Sequence, residues 1–244
     1  MNLREFYSSL PEPHRTEMLS RMQYTWELNA RPNQIANTFS TFQVIVGGRG
    51  AGKTRAGAEW IREKAKIPNL RLLLVARTAA DVRSTMVEGE SGILNVSPPS
   101  ERPIYKPATR RLEWANGTSA FCTSADEPDS LRGVQAHATW FDEPHGKEHP
   151  HGGINAFNNV CIATRLGSLP QILLTGTSQS HSDPLWQELK VAYDTHSVFR
   201  GETIHFRRNS TADNEANLHP KYLDSLANNY LGTAMATREL EGNL

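Results

Sequence analysis

Residues 47–54 read Gly47-Gly48-Arg49-Gly50-Ala51-Gly52-Lys53-Thr54 and match the pattern G-x-x-x-x-G-K-[ST]. That spacing suits a loop that holds phosphates. Glycines let the backbone turn tightly, so that several N–H groups converge on one phosphate chain. Lys53 reaches the outer phosphates as a point charge, and the Thr54 hydroxyl can ligate Mg²⁺. A second chemical cluster ends the apolar run Ala138-Thr139-Trp140-Phe141 with Asp142 and Glu143. An acid at such a strand end can hold the Mg²⁺ that bridges nucleotide phosphates, which is assigned to Asp142. An adjacent glutamate can polarise an attacking water, so Glu143 is the candidate general base. Binding alone would not need the second acid, so the pair favours hydrolysis. The other reading of the pair is two exposed turn acids before Pro144.

Three further features are less specific. Thr175-Gly176-Thr177 follows Leu174; small hydroxyl residues there can hydrogen-bond a γ-phosphate or an attacking water, or simply end a strand. Arg132, in Asp129-Ser130-Leu131-Arg132-Gly133, and Arg49, inside the glycine loop, can each stabilise charge on a transferred phosphoryl group. A lone arginine is more often a surface residue.

These groups need elements to aim them. The β-formers of residues 42–46 predict a buried strand entering the glycine loop. Residues 54–66 predict a helix leaving it, with Ala58, Ile61 and Ala65 on one side. Strand, loop and helix put the phosphate at a helix N-terminus, where free N–H groups and the dipole favour anions. Residues 72–76, 138–141 and 172–174 are further buried strands. Thr78 is a candidate N-cap for a helix through Val87, and helices are expected over 154–165, 184–193 and, in two pieces broken at Gly232, over 219–240. Asn116-Gly117 between two β-rich runs predicts a hairpin with a type I′ turn. Residues 1–30 read as a polar helical segment. The alternation of strands and helices predicts an α/β fold: one mainly parallel central sheet with helices on both faces, its ligand beyond the strands' C-terminal ends.

Composition adds bounds. The chain has 244 residues, is 38% hydrophobic and balances 26 basic against 26 acidic residues. Zero net charge argues against tight nucleic-acid binding by charge alone, although Arg110-Arg111 and Arg207-Arg208 could form local patches. Cys122 and Cys161 are expected as buried free thiols. No secretory pattern opens the chain, and no apolar run approaches the roughly 18 residues that span a bilayer. No membrane partner is expected, and a cytosolic location is. His145, His149 and His151 crowd one short loop; without cysteine partners they suit a loop beside the site better than a zinc centre.

The ordered set resembles the N-terminal ATPase domain of phage large terminases, the motors that package DNA. The carrying residues are Ala30-Arg31-Pro32-Asn33-Gln34, residues 47–60, Val87-Glu88-Gly89, Leu131-Arg132-Gly133, residues 140–144, Arg165-Leu166-Gly167 and residues 174–177. The resemblance implies an additional-strand (ASCE/RecA-like) P-loop NTPase fold, with ATP and Mg²⁺ as ligands. It implies an adenine-side role for Gln34, a P-loop arginine at Arg49, a coupling motif at Thr175-Gly176-Thr177 and a trans-acting finger at Arg132. It further implies double-stranded DNA, a portal protein and a small terminase subunit as partners, a homo-oligomeric ring, commonly a pentamer, and work in the host cytoplasm at the procapsid portal. Residues 1–244 are expected to be the ATPase domain with no nuclease, because no acidic strand set follows Glu239. Two other readings stand beside a translocase. One is a helicase-like ATPase, which would need a second RecA-like lobe. The other is an assembly module regulated by nucleotide occupancy.

Overall fold

A strand buried on both faces needs a continuous apolar run rather than alternation, and the chain supplies several. In the computed structural model, which describes residues 3–26, 30–31, 34–36, 39–144, 152–177, 184–196 and 198–230, eight strands form one sheet. They are β1 (Phe42–Gly47), β2 (Arg71–Ala76), β3 (Ile104–Lys106), β4 (Arg111–Glu113), β5 (Ser119–Ser124), β6 (Ala138–Asp142), β7 (Gln171–Gly176) and β8 (Ile204–Asn209). Their order across the sheet is β3-β4-β5-β2-β6-β7-β1-β8. All neighbours from β5 to β8 in that order are parallel; β3 and β4 add an antiparallel edge. β7 lies between the strand that enters the glycine loop and the strand that ends in the two acids, which is the additional-strand arrangement.

Residues 3–24 form a separate unit of two short helices, α1 (Leu3–Ser9) and α2 (Glu12–Tyr24), as the polar helical reading of this segment expected. In the larger unit, α3 (Lys53–Ala65) packs on one face of β1, β6 and β7. On the opposite face α4 (Gly152–Ala163) and α5 (Pro184–Asp194) bring Phe157, Val160, Trp186 and Leu189 against Val44, Val75, Phe141 and Leu174. Ala58, Ile61 and Ala65 are buried as their spacing predicted. Thr78 caps the next helical stretch through a reciprocal capping box with Asp81. The stretch begins as Ala79–Asp81 and relaxes into a π-helix over Val82–Val87. After β8, a 3-10 turn, Ala212–Asn217, leads to α6 (Pro220–Tyr230).

Several expectations change. The hairpin forms between β4 and β5, but Trp114 N–H donates to Thr118 across a three-residue connection, and only Gly117 (φ 84°) is left-handed. A type I′ turn needs positive φ at Asn116 as well. Asn116 instead keeps ordinary φ and spends its amide on the Ala65 carbonyl at the end of α3 (2.8 Å). Cys122 is buried, whereas Cys161 is half-buried; burial pushes their thiols up to about 12 and about 11. β8 was not expected: His205, Arg207, Arg208 and Asn209 break its apolar pattern. Among the described residues it is an edge strand, paired on one side only, so half of it can stay polar. The second piece of the C-terminal helix and the histidine loop lie outside the described residues. Among the described residues, no helix is long and apolar enough to cross a membrane.

Candidate active site

The register of the sheet assembles the site. Thr175 of β7 pairs with Ile45 of β1 on one side and with Asp142 of β6 on the other. The acids and the glycine loop therefore leave the sheet at the same edge, the C-terminal ends of parallel strands, where ligands bind in such sheets.

The loop runs from the end of β1 to the start of α3. Gly50 (φ 75°) and Gly52 (φ 81°) are left-handed. A Cβ at Gly52 would also lie 2.0 Å from Gln34 Nε2, so both the backbone and the packing require glycine there. Lys53 opens α3, and its ammonium donates to the carbonyls of Gly47 (3.0 Å) and Gly48 (2.9 Å). Thr54 is the second helical residue and half-buried. Arg49 is exposed at the tip of the loop.

The loop's outward side is braced. Gln34 accepts from Arg31 N–H (2.9 Å) and donates to the Ala51 carbonyl (2.9 Å). Thr211 donates to the Arg49 carbonyl (2.7 Å) and Asn214 to the Gly50 carbonyl (2.7 Å). Gln34 thus sits against the glycine loop with both ends of its amide engaged by backbone. Thr211 and Asn214 were missed by sequence reasoning. They stand in a polar stretch without a motif, and a hydrogen bond to a residue 162 positions away leaves no local pattern.

Asp142 ends β6 buried. Its carboxylate accepts from the Thr175 hydroxyl (2.5 Å), which itself accepts from the Trp140 indole N–H (2.6 Å). Burial, joined by the charge of Glu143, pushes Asp142 up to about 7; the Thr175 hydrogen bond and Lys53 pull the other way. Glu143 takes a left-handed turn (φ 46°), a conformation that costs a non-glycine residue energy and recurs at functional sites. Its carboxylate accepts from the Thr177 N–H (3.1 Å) and hydroxyl (3.4 Å) and lies 4.0 Å from Lys53 Nζ. Lys53, Asp142, Glu143, Thr175 and Thr177 are therefore brought together. Gly176 lies between them; a Cβ there would meet Trp186 at 3.1 Å and Pro144 at 3.2 Å.

Arg132 is not part of that cluster's bonding. It follows the 3-10 turn Pro128–Leu131, is 77% exposed and pairs with the equally exposed Asp129 (3.1 Å). Trp140 carried no functional expectation, yet it feeds the Thr175–Asp142 bond and meets α3 where Gly57 allows contact.

The donor set suits a magnesium-bound triphosphate: hard oxygen ligands at Thr54 and Asp142, a cation at Lys53, and a left-handed glycine loop leading into a helix N-terminus. Among the described residues no group of three or more histidine, cysteine and acid side chains is placed to hold a metal.

Comparison with known proteins agrees with the fold. The fold matches the large terminase of a thermophilic bacteriophage (TM-score 0.67, 13% identity), covering 92% of this chain and 52% of that one. That large terminase has also been solved with ADP and with ATP-γ-S. The ATPase domain of the Thermus phage P74-26 large terminase matches with TM-score 0.61 and 15% identity over 96% of this chain and 98% of that one. The HK97 bacteriophage large terminase matches with TM-score 0.62 and 15% identity over 96% and 50%. The chain thus spans about half the length of the thermophilic-phage protein and of the HK97 protein. A search of curated protein sequences gave no match. The model of the family described as "Terminase large subunit, T4likevirus-type, N-terminal" matches residues 44–244. On that match, which takes in most of the glycine loop's entering strand and everything after it, the chain belongs to the terminase large subunit N-terminal family.

Proposed function

We propose that this chain hydrolyses ATP in a Mg²⁺-dependent reaction and uses it to drive double-stranded viral DNA into a procapsid. The observation that carries the reading is the placement of a buried acid and a strained glutamate at the same sheet edge as the glycine loop, with Glu143 4.0 Å from Lys53.

The residues divide the work. Residues 47–54 hold the phosphates through backbone N–H groups. Lys53 exchanges its loop carbonyls for the outer phosphate oxygens. Thr54 and Asp142 hold the metal, which when bound neutralises charge on the β- and γ-phosphates. Glu143 orients water and takes its proton, and Thr177 holds the glutamate in place until then. Arg49 lies at the loop tip for a cis contact. Arg132, exposed, extends toward a neighbouring subunit's phosphates. Gln34 lies on the adenine side of the loop. Thr175, Gly176 and Thr177 join the metal ligand to the base, so a change at the γ-phosphate reaches the C-terminal end of β7.

The same reading assigns a homo-oligomeric ring, with five subunits as the leading number, docked on the portal in the host cytoplasm and supplied with DNA by a small terminase subunit. Residues 1–244 would form its ATPase domain, with residues 1–30 as a helical N-terminal segment, and no DNA cleavage is assigned to these side chains. The test is displacement of a triplex-forming strand from duplex DNA by the assembled protein. Displacement that needs ATP and is lost in Glu143→Ala supports a translocase. Tight nucleotide binding without turnover or displacement, in a preparation shown to be assembled, supports an occupancy-regulated module instead. Unwinding of the duplex supports a helicase.

A further inference from the structure

Three successive carbonyls of the glycine loop, those of Arg49, Gly50 and Ala51, each accept a hydrogen bond from a side chain outside the loop: Thr211, Asn214 and Gln34. In a trans peptide the carbonyl of one residue and the N–H of the next point in opposite directions within one plane. Fixing those three carbonyls outward therefore turns the N–H groups of Gly50, Ala51 and Gly52 toward the inside of the loop, where that of Ala51 donates to the Gly48 carbonyl (3.2 Å). A glycine-rich loop does not hold such an orientation by itself, since glycine loses more conformational freedom on ordering than any other residue. The braces are themselves buried: Gln34 is 4% exposed, Thr211 3% and Asn214 8%. Asn214 is fixed in turn, because its Oδ1 accepts from Asn217 Nδ2 (2.8 Å). The last residue of β8 also reaches the loop through its backbone, since Gly48 N–H donates to the Asn209 carbonyl (3.2 Å).

We propose that Thr211 and Asn214 are positioning residues for the nucleotide: the segment that follows β8 sets the loop's N–H groups toward the phosphates before ligand arrives. This rests on the reading of residues 47–54 as a nucleotide site. It makes the β8 edge, silent in sequence, part of the binding machinery. It also gives a route by which anything that shifts the Ala212–Asn217 turn changes nucleotide affinity without touching the nucleotide.

The experiment measures the Kd of a fluorescent ADP with Mg²⁺, together with the thermal midpoint of the ligand-free protein, for wild type, Thr211→Val, Thr211→Ser, Asn214→Ala and Thr164→Val. Thr164 donates an equally buried hydroxyl hydrogen bond, to the Val160 carbonyl at the end of α4, near the start of β6 and away from the loop. Loss of one brace is expected to raise Kd about tenfold, the order expected for one buried hydrogen bond with its acceptor left unpaired. Thr211→Ser is expected to restore wild-type affinity, and Thr164→Val to lower the midpoint while leaving Kd unchanged. Should Thr211→Val fail to fold, Asn214→Ala carries the same comparison. Kd within twofold of wild type in the folded brace variants, or a rise in Thr164→Val equal to theirs, overturns the positioning role. Absence of binding in wild type overturns instead the nucleotide-site reading beneath it.

Discussion

Asp142 is poised between carrying a proton and carrying a metal, because burial pushes its carboxyl up to about 7. An unfolded aspartate titrates near about 3.9. Between about pH 4 and pH 7 the folded, metal-free chain therefore holds a proton that the unfolded chain has released. The contribution of this group to stability is complete below that window and is lost as pH rises through it. Asp142→Asn should flatten this part of the stability profile and raise the thermal midpoint at pH 8 in metal-free buffer; an unchanged profile would contradict the burial argument. Proton and metal compete for the same oxygens, so the Mg²⁺ concentration for half-maximal turnover should rise about tenfold per unit below pH 7. Thr175→Val removes the hydrogen bond that favours the ionised form, and should move that pH dependence upward.

At the scale of elements, the site depends on how closely α3 sits on β6. A Cβ at Gly57 would lie 2.1 Å from the Trp140 indole, whose ring is fully buried and hydrogen-bonded to Thr175. Gly57→Ala should therefore destabilise the protein by about 1–3 kcal/mol, the usual cost of overpacking, despite alanine's better helix propensity. In a Trp140→Leu background the same change should cost less, and thermal unfolding of the four proteins of the cycle checks the coupling. Additive effects would place the conflict elsewhere.

The elements also show what the sequence could and could not reveal. β1, β2, β6 and β7 were legible because strands buried on both faces read as unbroken apolar runs. Residues 47–54 and the pair Asp142-Glu143 stood out as candidates because phosphate and metal chemistry demands residue types at fixed spacing. β8 was not, since an edge strand with Arg207 and Arg208 in it has no apolar signature. The braces from Thr211 and Asn214, and the Trp140–Thr175–Asp142 chain, were not, since both are contacts between segments distant in sequence. The type I′ expectation at Asn116-Gly117 failed for a related reason: Asn116 is recruited by the end of α3, a tertiary demand that local turn preference does not carry.

For the molecule as a whole, the proposal requires a partner. Arg132 is exposed and bonded to Asp129 on its own surface, so under the proposed function it acts only when another copy presents its loop. Turnover per chain should rise with protein concentration. Mixing Arg132→Ala with Glu143→Ala chains should give turnover above the sum of the two alone, because each supplies what the other lacks. No gain in a mixture shown to be assembled would remove the trans role. The chain's formal net charge of zero fits DNA contact made by a ring jointly rather than by one strongly basic face.

The decisive measurement is phosphate release from Mg·ATP by wild type and Glu143→Gln, with nucleotide binding determined on the same samples. The account predicts comparable binding in both proteins and turnover lower by about 10²–10⁴-fold in the variant, the usual contribution of a general base. Turnover in Glu143→Gln equal to that of an active wild type would contradict it.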